Sequence, residues 1–197
     1  MTRPYTDLSV DLETLGTDPG AVVFQVGLCA FDARGPRDEV ATALVRVHPQ
    51  SLLDAGMTVS WDTIAWWLRQ SDEARLAAAD VAEAVPLRLA THRATGFLRE
   101  HFDFDFNGDP ESEARVECDV WGFGPTLDVA LLEELYRRAR APVPWDFRRV
   151  RCLRTLAAYA PEVPRPRPAI AHRADCDAEA QARWIRACVS AIERRTP

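Results

Sequence analysis

The sequence predicts an α/β protein in which a mixed five-stranded sheet is flanked by helices. Its 197 residues fit one domain of ordinary size, and an apolar share of 47% is enough for a buried core. Strand-like alternation dominates the first part of the chain, whereas helical spacing alternates with short strands in the rest. We therefore expect residues 1–197 to form a single domain.

Three strands open the chain. Residues 5–13 alternate with a period of two, which places Leu8, Val10 and Leu12 on one face and the acidic side chains on the other. Turn-forming residues follow, and the apolar run 21–31 and the segment 40–48 complete a predicted three-stranded meander.

Helices and strands alternate after this meander. Ser60 and Ser71 are typical helix N-caps, and polar or proline-rich loops are predicted over 103–113 and 161–168. The remaining predicted elements are helices over 86–101, 126–139, 152–159 and 175–195, and strands over 115–121 and 145–150. This order of elements is the ribonuclease H-like pattern of a mixed sheet with helices on both faces.

The composition argues against a membrane protein and a disulfide-rich secreted protein. No run approaches the roughly 18 apolar residues that span a bilayer, since Gln25 and Gly27 interrupt the best candidate. The N-terminus shows no secretory signal. The five cysteines are scattered and form no C-x-x-C pair, which predicts reduced thiols in the cytoplasm.

The net charge of −6 is not that of a typical nucleic-acid-binding protein. Acidic groups gathered in a metal site, with basic groups around its rim, would give the same sum. The chain has no lysine, so any contact to a phosphate must come from arginine, backbone N–H groups or hydroxyls.

Two acidic side chains on the first strand are the first candidate site residues. Asp11 and Glu13 point to the same face, where their carboxylates repel each other unless a cation neutralises them. Mg²⁺ and Mn²⁺ prefer such oxygen ligands. A solvated acidic edge strand is the alternative, and this pair alone does not exclude it.

Three further candidates lie later in the chain. Asp128 follows a glycine-rich strand exit and opens an apolar helix, although an Asp there also complements the helix dipole. His172 and Asp177 would lie about 140° apart on one helix. They converge only if His172 precedes the helix and Asp177 occupies its first turn; otherwise His172 is a surface loop residue.

These segments together resemble a known family. Residues 11–16, D-L-E-T-L-G, resemble the first motif of the DEDD exonuclease superfamily, and the segment around Asp128 resembles the second. The spacing from His172 to Asp177 resembles the third motif of the DEDDh branch. Residues 60–71, 121–124 and 151–156 resemble the phage-type exonuclease A and exonuclease VIII-like group, which includes bacterial 3′→5′ exoribonucleases.

The resemblance implies a 3′→5′ exonuclease that releases nucleoside 5′-monophosphates from single-stranded nucleic acid. Asp11, Glu13, Asp128 and Asp177 would bind two divalent cations, Mg²⁺ or Mn²⁺, and His172 would act as the general base. Cys152 and Cys176 stand where acids are usual in the group, but neither belongs to the metal-binding set.

The resemblance also implies substrate contacts. Thr14, Leu15 and Gly16 would cradle the 3′ nucleotide, with Leu15 as a wedge against the base and Phe24 behind it. The arginines expected to contact phosphates are Arg148, Arg151, Arg154 and Arg173. Trp66 and Trp67 are expected to pack in the core.

Three alternatives stay open. The same site could serve a 3′→5′ exodeoxyribonuclease, because only contacts to the 2′-OH separate RNA from DNA, although we expect RNA. The scaffold could instead be a non-catalytic nucleic-acid-binding module, or a structural α/β domain with coincidental acids.

By resemblance to its relatives, the protein is expected to form a homodimer.

Overall fold

The computed structural model describes residues 4–105 and 115–195. Its main sheet contains five strands, and a second sheet contains two. In chain order the strands are β1 (Asp7–Thr14), β2 (Val23–Phe31), β3 (Ala41–Arg46), β4 (Phe104–Asp105), β5 (Arg115–Val116), β6 (Asp119–Gly122) and β7 (Val150–Cys152). The α-helices are α1 (Pro49–Asp54), α2 (Trp61–Trp67), α3 (Asp72–Ala79), α4 (Leu87–His101), α5 (Asp128–Ala139), α6 (Leu153–Ala158) and α7 (Ala174–Glu193).

The main sheet has the order β3-β2-β1-β6-β7. The first three strands pair antiparallel, as the predicted meander requires, whereas β6 pairs parallel to β1 and β7 pairs parallel to β6. The predicted mixed five-stranded sheet is therefore confirmed. Because β1 lies at its centre, the acidic residues of that strand lie in the middle of the molecule.

Helices cover both faces of the sheet. Leu8, Val10 and Leu12 pack into the larger apolar cluster, which includes residues of α4 and α5. On the other face, α7 packs against β1 and β2 and contributes Ile185 to a second cluster. The acidic face of β1 is therefore covered by α7, and every residue of β2 is buried.

The fourth and fifth strands differ from their predicted positions. The predicted strand over 115–121 is broken, because β5 pairs with β4 in the small sheet before β6 joins the main one. In the predicted strand over 145–150, Asp146 caps a 3₁₀ turn at Phe147–Arg149, and β7 begins only at Val150. Most of the loop predicted over 103–113 lies outside the described residues.

Candidate active site

Three carboxylates meet on the face of the sheet that α7 covers. Asp11 and Glu13 project from β1, and Asp177 reaches them from the first turn of α7. One carboxylate oxygen from each lies within 4.8 Å of the others. The predicted strand pair and the predicted third-motif acid therefore come together at a distance that suits a shared cation.

A glycine lets α7 approach this closely. Gly27 is the direct partner of Asp11 on β2, and a Cβ added there would lie 2.0 Å from the carbonyl oxygen of Ala174. Buried Gln25 fixes the same point, since its Oε1 accepts a 3.3 Å hydrogen bond from the Ala174 N–H. Nothing in the spacing of the motif acids indicated either residue.

The carboxylates hold their protons more tightly than usual. Burial, together with the charges of Asp177 and Asp128, raises the pKa of Glu13 to about 8. Burial raises the pKa of Asp11 well above its usual range, and the charges of Glu13, Asp128 and Asp177 add to this effect. Burial also raises the pKa of Asp177. Such crowded acids ionise together only when a cation compensates them.

Asp128 stands beside this group but outside it. It begins α5, directly after the turn that follows β6, as the sequence predicts. Burial raises its pKa to about 6, and the charge of Arg154 opposes this effect. Its own charge raises the pKa values of Asp11 and Glu13, so Asp128 acts on the same electrostatic site although it is not within the 4.8 Å set.

Gln181 is a site residue that the motifs do not indicate. It lies on α7, one helical turn beyond Asp177, and its Nε2 donates a 2.6 Å hydrogen bond to Asp11 Oδ1. Its Oε1 is buried and has no hydrogen-bond partner within the described residues. A buried amide oxygen without a partner beside four acids marks a place where a donor, such as an ion-bound water, would be stabilised.

His172 precedes α7, which is the position that the sequence requires if His172 and Asp177 are to converge. Its backbone is left-handed, with φ of 59°, and its N–H donates to Asp177 Oδ2 at 2.9 Å. The imidazole packs edge-on against Trp66 and Trp67, with ring centroids 5.0 and 5.8 Å away. The backbone N–H of His172 thus orients the Asp177 carboxylate, and the indoles of Trp66 and Trp67 fix the imidazole ring of His172.

A cavity of about 600 Å³ opens beside Glu13. Trp67 is buried, but Trp66 is 39% exposed and lines this cavity. The prediction that both tryptophans belong to the core is therefore confirmed for Trp67 and wrong for Trp66, because α2 lies at the rim of the site. The other lining residues are Glu13, Thr14, Thr17, Asp18, Ser60, Asp62, Thr63 and Trp67.

The chain matches a known family over nearly its whole length. Residues 6–189 match the profile of the 3′-5′ exoribonuclease Rv2179c-like domain. The chain belongs to this family. The predicted 3′→5′ exonuclease is thereby confirmed. The narrower likeness to phage exonuclease A stays a prediction.

Two solved structures share the fold of this exonuclease. Pop2p of S. pombe, in a form with Mg²⁺ and Mn²⁺ bound, is 14% identical and has a TM-score of 0.53; the match covers 93% of this chain and 82% of that one. The nuclease domain of 3′hExo, a DEDDh family member bound to rAMP, is 12% identical with a TM-score of 0.55; the match covers 93% and 91%. At these identities the likeness confirms the ribonuclease H-like fold alone. No curated protein gives a significant match.

The predicted substrate residues serve the architecture of the exonuclease as well. The Thr14 carbonyl accepts a 2.9 Å hydrogen bond from Trp67 Nε1, and half-buried Leu15 packs against the main core. Gly16 is buried and closely packed, since an added Cβ would lie 3.0 Å from that of Ala21 and Ala21 would have to shift. Phe24 is buried behind Trp67, with ring centroids 5.5 Å apart.

Three of the four arginines predicted to contact phosphates are paired with carboxylates. Arg173 binds Asp175 through two hydrogen bonds of 2.8 and 2.7 Å, and it does not line the cavity. Arg151 binds Asp119, and Arg148 binds Asp146. Arg154 is the one member of these four that has no ion pair with any residue that the structure describes. Within those same residues, no helix is both long and apolar enough to cross a membrane.

Proposed function

We propose that this exonuclease removes nucleotides one at a time from the 3′ end of single-stranded RNA, with two divalent cations held by Asp11, Glu13, Asp128 and Asp177. The observation that carries the proposal is the 4.8 Å carboxylate group, whose raised pKa values reflect burial and mutual repulsion that a bound cation would relieve, beside a cavity large enough for a nucleotide. The family description, an exoribonuclease domain, supports RNA as the substrate.

The donor set fits Mg²⁺ or Mn²⁺. All four proposed ligands are carboxylates, which suit hard cations, whereas zinc sites in proteins usually include His or Cys. The unpartnered Oε1 of Gln181 adds a polar acceptor beside the same group. When bound, such ions lower the pKa of a coordinated water and neutralise charge on the attacking and leaving oxygens.

His172 is the proposed general base. Its ring is held by Trp66 and Trp67 and its backbone by Asp177, so it lies next to the carboxylates in a fixed orientation. Imidazole accepts a proton effectively near neutral pH, and a positioned base contributes roughly 10²- to 10⁴-fold to a rate. His172 would take the proton of the attacking water.

The cavity beside Glu13 is the proposed site of the terminal nucleoside. The exposed face of Trp66 offers a stacking surface that accepts any base, which suits an exonuclease without sequence preference. Leu15 and Gly16, in the turn after β1, would limit how deep the base can enter. Ser60, Asp62 and Thr63 line the same cavity and supply polar groups for a ribose 2′-OH.

The proposal is tested with a 5′-labelled oligonucleotide ladder. Matched single-stranded RNA and DNA are incubated with Mg²⁺ or Mn²⁺ and the native protein, Asp11→Ala or His172→Ala. His92→Ala, at an exposed histidine of α4, is the matched control for the histidine variant. We expect shortening from the 3′ end, faster for RNA, which a chelator and Asp11→Ala abolish, His172→Ala slows about 10²-fold or more, and His92→Ala leaves unchanged.

Other outcomes select the alternatives. Faster shortening of DNA would favour the exodeoxyribonuclease, and binding of either strand without shortening would favour the non-catalytic module. Cytoplasmic localisation and a homodimer stay predictions, to be checked by fractionation and by light scattering.

A further inference from the structure

Two arginines lie over one aromatic ring at the edge of the site. The guanidinium carbon of Arg154 is 4.8 Å from the centroid of Phe123, and that of Arg165 is 4.6 Å from the same centroid. Trp184 lies beside them, 5.7 Å from Phe123 between centroids. We call Arg154, Phe123 and Arg165 the arginine stack.

The stack leaves its charged groups available. Both arginines are exposed, and neither makes an ion pair or a side-chain hydrogen bond with any residue that the structure describes. A guanidinium that stacks on a ring uses its face, while its N–H donors point outward in its own plane. Arg151 and Arg173 differ in this respect, because carboxylates already occupy their donors.

The arginine stack lies close to the carboxylate residues. Arg154 lies against the turn that leads to Asp128, with its guanidinium carbon 3.4 Å from where a Cβ of Gly124 would be. Arg165 lines a narrow cleft together with Asp177, Gln181 and Trp184. The positive charge of Arg165 is one of the influences that lower the pKa of Asp177, against the larger effect of burial.

The cleft and the cavity are separate surfaces. The residues of the cavity, among them Glu13 and Trp66, do not line the cleft, and those of the cleft do not line the cavity. Because Glu13 lines the cavity and Asp177 lines the cleft, a strand whose last nucleoside fills the cavity can pass the carboxylates toward the cleft. Its next phosphate would enter a strongly acidic surrounding unless cations met it there.

We propose that Arg154 and Arg165 form a subsite for the internucleotide phosphate immediately upstream of the scissile one. This inference rests on the proposed function. Bidentate arginine contacts suit a phosphate dianion or diester, and the chain has no lysine to replace them. Phe123 holds both side chains in place before the substrate binds, so less rotamer freedom is lost on binding.

Three short substrates separate this subsite from the rest of the site. A dinucleotide with a free 5′ hydroxyl carries only the scissile phosphate. The same dinucleotide with a 5′ phosphate, and a trinucleotide, each add one upstream phosphate, the first without adding a base. For the native protein we expect kcat/KM about 10- to 100-fold higher for the two longer substrates, through KM.

The test compares Arg154→Gln/Arg165→Gln with a control that removes the same charge. The control is Arg34→Gln/Arg183→Gln, at exposed arginines paired with Glu193 and Glu179. We expect the stack variant to lose the advantage of the upstream phosphate, so that its kcat/KM becomes equal for the three substrates, whereas the control keeps the native ratio. Its salt dependence on a longer RNA should fall by about one unit of slope per lost phosphate contact.

Two results would overturn the subsite. Equal slowing of all three substrates would assign the arginines to the carboxylates, and a native protein indifferent to the upstream phosphate would leave them without a ligand. If the native protein cleaves none of the substrates, the proposed function itself fails. Phe123→Leu, which keeps an apolar side chain, should reduce the advantage by less than the double variant does.

Discussion

Asp7 and Asp11 are identical residues on the same face of β1, yet their surroundings are opposite. The Asp7 carboxylate is buried and accepts hydrogen bonds from Trp121 Nε1 at 2.8 Å, the Ala33 N–H at 2.9 Å and the Thr6 hydroxyl at 2.6 Å. Asp11 accepts one hydrogen bond, from Gln181, and otherwise faces other acids. One carboxylate is saturated with donors and the other is surrounded by like charge.

We propose that this difference separates a structural acid, Asp7, from a metal-binding one, Asp11. Neutral donors around Asp7 replace the water that it loses on burial, so its contacts stabilise the fold. Among the described residues Asp11 has only the Gln181 amide as such a donor, and a folded chain keeps a poorly compensated group of this kind where a ligand provides the compensation. On this proposal the same residue type on the same strand serves two purposes, which its partners decide.

The largest expected effect tests the difference between Asp7 and Asp11 directly. Asp11→Asn should lower kcat by about 10³-fold or more, because it removes a metal-binding charge, while the unfolding free energy without metal stays equal or rises. Asp7→Asn should keep most of the specific activity but cost about 1–3 kcal/mol of stability. Denaturant unfolding and the RNA ladder, applied to both variants, measure the two effects.

The opposite distribution would refute the assignment. If Asp7→Asn abolished activity in a folded protein, or if Asp11→Asn cost as much stability as Asp7→Asn, the two carboxylates would not differ in role.

The motif residues were predictable because each lies on a local element that its own sequence specifies. Period-two alternation places Asp11 and Glu13 together, and a helix start places Asp177 after His172. Residues that join distant segments were not predictable in this way. Gly27 and Gln181 act only because α7 crosses β1 and β2, and no spacing in the chain records that crossing.

The pairing of the arginines and the positions of the short strands were not predictable, for a related reason. A guanidinium is free or paired according to which carboxylate comes near it, so Arg151 and Arg154 look equivalent in sequence but not in the fold. The strand expected over 145–150 is displaced because a side chain of Asp146 caps a turn there. Such choices are made by tertiary contacts rather than by propensity.

The second prediction concerns Gly27, which lets α7 pack closely at Asp11 rather than at Asp7. Gly27→Ala should cost about 1–3 kcal/mol or more and reduce activity, since its Cβ would force the Ala174 backbone away from the sheet. Gly96→Ala is the control, because nothing lies within 4 Å of a Cβ there and α4 should gain about 0.5–1 kcal/mol. Similar effects of the two changes on thermal unfolding would show that the close approach at Gly27 is not required.

The third prediction concerns Gln181, the one hydrogen-bond donor to Asp11 among the described residues. Gln181→Leu removes the 2.6 Å hydrogen bond to Asp11 and also the unpartnered Oε1. We expect about 10- to 100-fold weaker binding of Mn²⁺, measured by calorimetry, with little change in folding stability. Unchanged affinity would mean that the amide only fills space beneath Asp11.

The smallest expected effect is a pH dependence that only the acids around Asp11 produce. In the folded protein, burial holds the pKa of Glu13 at about 8, above its usual 4.5, and that of Asp128 at about 6, above 3.8. Between the lower and the higher value the folded state binds more protons than the unfolded state. The metal-free protein should therefore lose stability as the pH rises from about 5 to about 8.

Bound Mg²⁺ replaces those protons, so the rise in Tm that it causes should be larger at about pH 8 than at about pH 5. Scanning calorimetry with and without chelator measures both trends. Glu13→Gln should flatten the metal-free trend, whereas Asp7→Asn should lower Tm through the loss of its hydrogen bonds with Trp121 and Ala33. A slope that survives Glu13→Gln would place its origin outside the carboxylate group.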